Sequence, residues 1–178
     1  MFVLLPAEMT DEESCWNLIE EGRRFQHEQG FVQWTEAYPR PEHVRADIAA
    51  GTAYVLKDKE GKAAGYVCID FAGEPAYETI RGRWSSDEPC GVLHRMALGC
   101  GFRGCGLGSV MLRECERVCR ERHVYCLRAD TSPDNKRMQH VFEKNGYRLC
   151  GTVKVRGNDK LAYDKCFVQS AAAAEDAE

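Results

Sequence analysis

The chain has 178 residues, 44% hydrophobic and 29% charged, enough for one domain with its own core. No run approaches the roughly 18–20 apolar residues that a bilayer span needs. Its 24 Lys and Arg stand against 28 Asp and Glu, a formal charge of -4, which argues against a protein that works by neutralising a nucleic-acid backbone.

Residues 3–5 read as a short strand ended by Pro6, and Thr10, Asp11, Glu12 and Glu13 cap a helix carrying Cys15, Trp16, Leu18 and Ile19. Pro39 and Pro41 precede a second helix over 42–50, stopped by Gly51. Residues 52–57 and 63–71 form an antiparallel hairpin across the polar turn 57–62. The stretch 72–91, with Gly73, Pro75, Gly82, Ser85, Ser86 and Pro89, reads as a long loop of the kind that carries function. A strand over 92–98 then runs through the glycine-rich segment 99–108 into a helix whose apolar face holds Leu107, Val110, Met111, Cys115 and Val118. With the next strand, 123–130, this makes a parallel β-α-β unit. A helix over 134–144 ends at Asn145-Gly146, a hairpin follows over 148–155 and 161–168, and the tail 170–178 is too small and polar to pack, so it is expected to be disordered.

The strongest local pattern is Arg103-Gly104-Cys105-Gly106-Leu107-Gly108-Ser109. Glycines let backbone N–H groups converge on an oxyanion, and the following helix N-terminus adds about 0.3–1 kcal/mol for an anion. Five glycines between positions 99 and 108 exceed what a tight turn needs. A dinucleotide fingerprint fails on register: counted from Gly104 the third glycine position is Ser109, and from Gly106 it is Met111. A Walker A loop fails because no Lys-Ser/Thr pair follows.

Arg103-x-x-Gly106-x-Gly108 resembles the pyrophosphate loop of the GNAT (GCN5-related) N-acetyltransferases. Asn135, followed by Phe142-Glu143-Lys144-Asn145-Gly146-Tyr147, is similar to that family's second motif. The resemblance extends over about residues 1–168. Within the family, Gln33-Trp34…Tyr38-Pro39 and His94-Arg95-Met96-Ala97-Leu98 look most like the bacterial branch of small-molecule and uncharacterised enzymes. It implies an α/β (α+β) GNAT domain over 1–169, with a mixed central sheet of about six to seven strands flanked by about four helices. It implies acetyl-CoA as co-substrate, with Met96, Ala97 and Leu98 along its pantetheine arm. The loop Arg103, Gly104, Cys105, Gly106, Leu107, Gly108 and Ser109 would hold the pyrophosphate, and Asn135 would bond the pantetheine side. The family's usual tyrosine acid is Phe142 here, so a water, a loop amide or another hydroxyl such as Tyr147 is left to meet the departing thiolate.

Attack on a thioester needs a neutral amine, and an alkyl ammonium with a pKa of about 10.4 must first lose a proton. His94 is the candidate base, in the position where the arylalkylamine branch carries a proton-relaying histidine; its other reading is a strand histidine bonding a neighbour. Asp70, Glu74 and Glu78 are rivals, and Asp130 is expected to cap the next helix. Trp34 and Tyr38 lie in the segment that walls the acceptor site in this fold, either gripping an acceptor or, for Trp34, serving as core. Cys105 is read as a small loop residue because the family transfers the acyl group directly.

The ten cysteines, at 15, 68, 90, 100, 105, 115, 119, 126, 150 and 166, contain no C-x-x-C pair. Together with the absence of a basic leader before the short apolar run, this predicts a cytoplasmic protein with free thiols, no disulfide and no metal. The predicted function is acetyl transfer to a primary amine of a small molecule or peptide. The alternative is a non-catalytic acyl-CoA-binding sensor or partner module, favoured by Phe142. Neither nucleic acid nor membrane is expected as a partner, and a homodimer is left open.

Overall fold

The alternation of apolar side chains in the central strands decides how the layers stack. A computed structural model describes residues 1–168, with strands and helices in the order β1 (Phe2–Pro6), α1 (Glu12–Glu28), α2 (Pro41–Ala49), β2 (Ala53–Asp58), β3 (Ala63–Asp70), β4 (Arg81–Gly82), β5 (Gly91–Leu98), α3 (Leu107–Glu121), β6 (Cys126–Thr131), α4 (Lys136–Lys144), β7 (Arg148–Val155) and β8 (Asn158–Cys166). In β2, Tyr54 and Leu56 join Met111, Leu112 and Cys115 of α3 in one buried cluster. The intervening Ala53 and Val55 join Cys15, Leu18 and Ile19 of α1 and Val44 of α2 in another. Side chains of period 2 thus feed two cores, and the sheet is sandwiched between helix pairs.

The sheet order is β1-β2-β3-β5-β6-β8-β7-β4. Every pairing is antiparallel except β5 with β6. α3 is the crossover that a parallel pair requires. The eighth strand exceeds the six or seven expected. It is the two-residue β4, inside the stretch read as loop, and it pairs with Thr152 and Gly151 of β7. Gly82 and Gly151 face each other there with φ of 143° and 146°, and a Cβ on either would collide with the facing backbone.

Segment 72–90 is anchored as well as looped. The Ser85 amide and hydroxyl donate to the buried Asp164 carboxylate at 2.5 Å, and the Trp84 indole donates to the Tyr77 carbonyl at 3.1 Å. Arg128 lies 4.5 Å over the Trp84 ring and donates to the Ser86 carbonyl at 2.6 Å. A disulfide joins Cys90 to Cys126, so the expectation of free thiols fails at those two positions. The parallel register sets Gly91 opposite Leu127 and therefore brings Cys90 beside Cys126, a cross-strand neighbour that spacing along the chain does not show. The tail expected at 170–178 lies outside the described residues.

Candidate functional site

Strands β5 and β6 pair only from Gly91 to Leu93, opposite Leu127 to Ala129, although β5 continues to Leu98 and β6 to Thr131. The parting coincides with a bulge. Tyr66 of β3 pairs with Ala97 and Cys68 pairs with His94, so two β5 residues oppose one on β3, and Arg95 sits at φ 53°. An extra residue bends and twists the bulged strand. Its conformation is held by side chains: Arg95 donates to both Asp47 carboxylate oxygens at 2.8 and 2.6 Å and to the Tyr38 hydroxyl at 2.8 Å. Asp47 also accepts from the Tyr66 hydroxyl at 2.6 Å.

The parted strands open into two connected spaces. The larger, about 550 Å³, is lined by Met96, Ala97, Leu98, Arg103, Gly104, Gly106, Leu107, Gly108 and Ser109, by Phe25 and Phe31, and by Lys136, Arg137, His140 and Lys144 of α4. Gly104 and Gly106 have φ of 80° and 75°, the left-handed region that explains both glycines. The N–H groups of Gly104, Cys105, Gly106, Leu107 and Gly108 donate to no group among the described residues. They form an anion-seeking nest at the start of α3. The Arg103 side chain is turned away from it, donating to the Leu98 and Glu21 carbonyls at 3.3 and 2.8 Å and lying 4.4 Å over Phe25. Arg103 therefore ties the loop to β5 and α1, while cations come from α4. Sequence reasoning missed Lys136, His140 and Lys144; their four-residue spacing on one helix face was the available signal.

The smaller space, about 140 Å³, is lined by Trp34, Tyr38, Glu74, His94, Arg95, Asp130, Arg156 and Lys160, with Phe142 among its apolar residues. Gln26, Trp34, Met96, Asn135 and Met138 line both spaces. The segment between α1 and α2 roofs the junction: the Trp34 amide donates to Gln26 Oε1 at 2.9 Å, and Gln33 Oε1 accepts from the Ser132 amide at 3.1 Å. Trp34 is 6% exposed and is thus both core and wall. His94 stands where the strands separate, its Nε2 4.0 Å from Glu74 Oε2. Burial, then the neighbouring Arg95, lowers its pKa below the ordinary 6.5, which leaves a neutral imidazole at pH 7.

The other sequence candidates separate. Glu74 lines the smaller space, whereas Asp70 accepts from the Ala72 amide at 2.8 Å and Glu78 is exposed. Asp130 does not cap α4; it accepts from the Tyr77 hydroxyl at 2.9 Å. The cap is Asn135, whose Oδ1 accepts from the Met138 amide at 3.1 Å. Tyr147 is no candidate acid: its hydroxyl is buried with no hydrogen-bond partner among the described residues, and its ring lies against Phe142 in the α3 and α4 core. Cys105 is exposed in the loop.

A model of the acetyltransferase (GNAT) family matches residues 14–147. YesJ of Bacillus subtilis strain 168, described as an uncharacterized N-acetyltransferase, is 25% identical over 154 residues, 84% of this chain and 83% of the relative. A crystal structure of a GNAT-family acetyltransferase from Streptococcus agalactiae 2603 superposes with a TM-score of 0.85 at 31% identity, covering 94% of this chain and 96% of the other. The aminoglycoside enzyme AAC(6')-Ib, solved with paromomycin and acetyl-CoA, shares the fold with a TM-score of 0.70 at 19% identity and 99% coverage of each chain.

Proposed function

Because the chain belongs to the acetyltransferase (GNAT) family, we propose that it moves an acetyl group from acetyl-CoA directly to a primary amine of a small molecule. The observation that carries this reading is the run of unengaged amides from Gly104 to Gly108, opening on a cleft that continues past Met96 to His94. Those amides and the α4 cations would hold the phosphates, and β5 beyond Leu93, paired with no strand on its β6 side among the described residues, would offer its backbone to the pantetheine arm. Asn135 stands at the junction, with its Oδ1 spent on the cap and its Nδ2 free of partners among the described residues.

Acetyl-CoA supplies an acetyl group activated as a thioester. Glu74 draws the ammonium form of the acceptor into the pocket, and the neutral His94 accepts its proton there, so that a free amine faces the thioester carbonyl carbon. As the new C–N bond forms and the C–S bond breaks, the sulfur leaves as a thiolate, and the second proton released from the nitrogen as it becomes an amide is taken up by that thiolate to give the thiol. A thiolate, whose conjugate acid has an ordinary pKa of about 8.5, is a weaker base than an alkylamine, whose conjugate acid has about 10.4, so departure needs no dedicated acid. Phe142 therefore takes nothing essential away.

The test is calorimetric titration with acetyl-CoA, followed by a thiol-release assay with primary amines. Micromolar binding and amine-dependent release are expected. Binding without release by any amine would favour the non-catalytic module, and no binding at all would overturn the site.

A further inference from the structure

The smaller pocket carries charge of both signs, and its cations are unspent. Arg95 is neutralised by Asp47, their side chains only 10% and 11% exposed. Arg156 and Lys160, from the β7–β8 hairpin, line the same pocket as Glu74, His94 and Asp130. Arg156 occupies the first turn position at φ 50° with Gly157 at 79°, the two-residue hairpin geometry with both central residues left-handed. Its guanidinium lies 3.4 Å over the Tyr38 ring. Neither Arg156 nor Lys160 has a carboxylate within 4.0 Å among the described residues. Lys160 is half-buried, and burial lowers its pKa despite attraction from Asp130 and Asp134. A partly desolvated ammonium whose nearest carboxylates attract it only from beyond ion-pair distance gains when an anion arrives to meet it directly.

We propose that the acceptor is a small amino acid, whose carboxylate is received by Arg156 and Lys160 while its primary amine is received by Glu74 and His94. The inference rests on the acetyl-transfer reading and names its substrate class. A polycationic acceptor would bring its charge against two unpaired cations. The pocket is also narrow beside the cofactor cleft, about 140 Å³ against 550 Å³. The cations come from the β7–β8 hairpin while Glu74 and His94 come from segment 72–90 and β5, and two such separate anchors would fix which end of the acceptor points at the thioester, the orientation that direct transfer requires.

The test compares matched acceptors: leucine with leucinamide, methionine with methioninamide, and 4-aminobutyrate with butylamine. An α-amino amide presents more free amine at neutral pH than the acid does, so a preference for the acid reports on its carboxylate. In at least one pair, kcat/KM is expected to be at least tenfold higher for the acid, carried by KM. Lys160→Met and Arg156→Gln should each lower that ratio about tenfold, and Lys160→Arg should restore it, with Tm and CoA affinity recorded for every variant to verify folding. Equal or better transfer to the uncharged members of every pair, or a ratio that neither variant moves, would overturn the proposal while leaving acetyl transfer standing. Thiol release with no member of any pair would overturn this proposal, and the acetyl-transfer reading falls with it only if the wider set of primary amines gives none either.

Discussion

Strands β5 and β6 behave as two different objects at their two ends. At one end they pair from Gly91 to Leu93, Cys90 is bonded to Cys126, and Gly91 has no room for a Cβ without crowding Cys119 Sγ at 3.0 Å and Leu127 Cδ2 at 3.1 Å. At the other end a bulge, a positive φ at Arg95 and a buried Arg95–Asp47 pair turn β5 aside, and the gap is filled by cavities instead of side chains. One end spends its residues on packing. The other leaves amides, an imidazole and charges unsatisfied, which is the state of groups kept for a ligand. Substitutions at the open end should therefore cost binding and turnover, and changes at the closed end should cost stability.

The largest effect is expected at the glycine nest. Gly106→Val puts a β-branched residue at φ 75°, a region it avoids, so the loop must rearrange and its amides lose their convergence. CoA affinity should fall by more than about 100-fold in calorimetry, because several phosphate bonds are lost at once. Gly51, at φ 68° with open space around it and in neither cavity's lining, is the control: Gly51→Val carries similar backbone strain away from the cleft and should lower Tm while CoA affinity holds.

Next in size is His94→Ala, expected to reduce kcat/KM by about 10²–10⁴-fold with CoA affinity retained. For the parent, a base that must be neutral gives activity that rises with pH through its pKa. Burial and Arg95 depress that pKa, outweighing the attraction of Glu74, Asp70 and Asp47, so the rising limb should centre below 6.5 and vanish in the variant. A limb that persists unchanged in His94→Ala would transfer the role to Glu74 or to a water chain.

At the closed end, reduction with a dithiol should act on stability alone. Cross-linking positions 36 residues apart is worth roughly 3–4 kcal/mol on chain-entropy arguments, so Tm should drop by on the order of ten degrees. Turnover measured well below the transition should not change. A Tm indifferent to reductant would dissolve the contrast between the ends and restore the expectation of free thiols.

What could be read in the sequence divides along the same line. The glycine loop was legible because its amides, helix start and strand are contiguous in the chain, and local chemistry at one turn implies a function directly. His94, Trp34 and Tyr38 were legible as candidates but not as a constellation. What brings them together is a strand that bulges and a roof tied across by Gln26 and Gln33, neither of which leaves a periodic signature. Asp47 carries no mark in the second helix of its pairing with Arg95, 48 residues on. The same holds for Cys90 with Cys126 and for Tyr147, whose hydroxyl looks available in sequence and is buried in fact. Arg156 and Lys160 carry no mark in the last hairpin of their place at the pocket. Long-range register, set by the sheet as a whole, is the common missing ingredient.

The smallest effect sits between the two ends, at Tyr77, which is 3% exposed and donates from segment 72–90 to Asp130 on β6. Burial raises the Asp130 pKa above 3.8, while the Tyr77 hydrogen bond, Lys160 and Arg156 oppose the rise and Glu74 adds to it. An acid whose folded pKa is raised binds protons more readily in the native state than in the unfolded one, so its ionisation costs stability as pH rises through the folded pKa and that cost is relieved as pH falls. Tyr77→Phe removes the bond that favours the carboxylate and pushes that pKa further up. Its cost should be about 1.5–3 kcal/mol where Asp130 is charged, as for a hydrogen bond to an ionised group, and should shrink as acid neutralises Asp130. Urea unfolding of parent and variant from pH 7 downward measures this directly. A stability gap independent of pH would mean that Tyr77 acts through packing against Trp84, 5.1 Å away between ring centroids, and that the closed end's packing extends to the rim of the pocket.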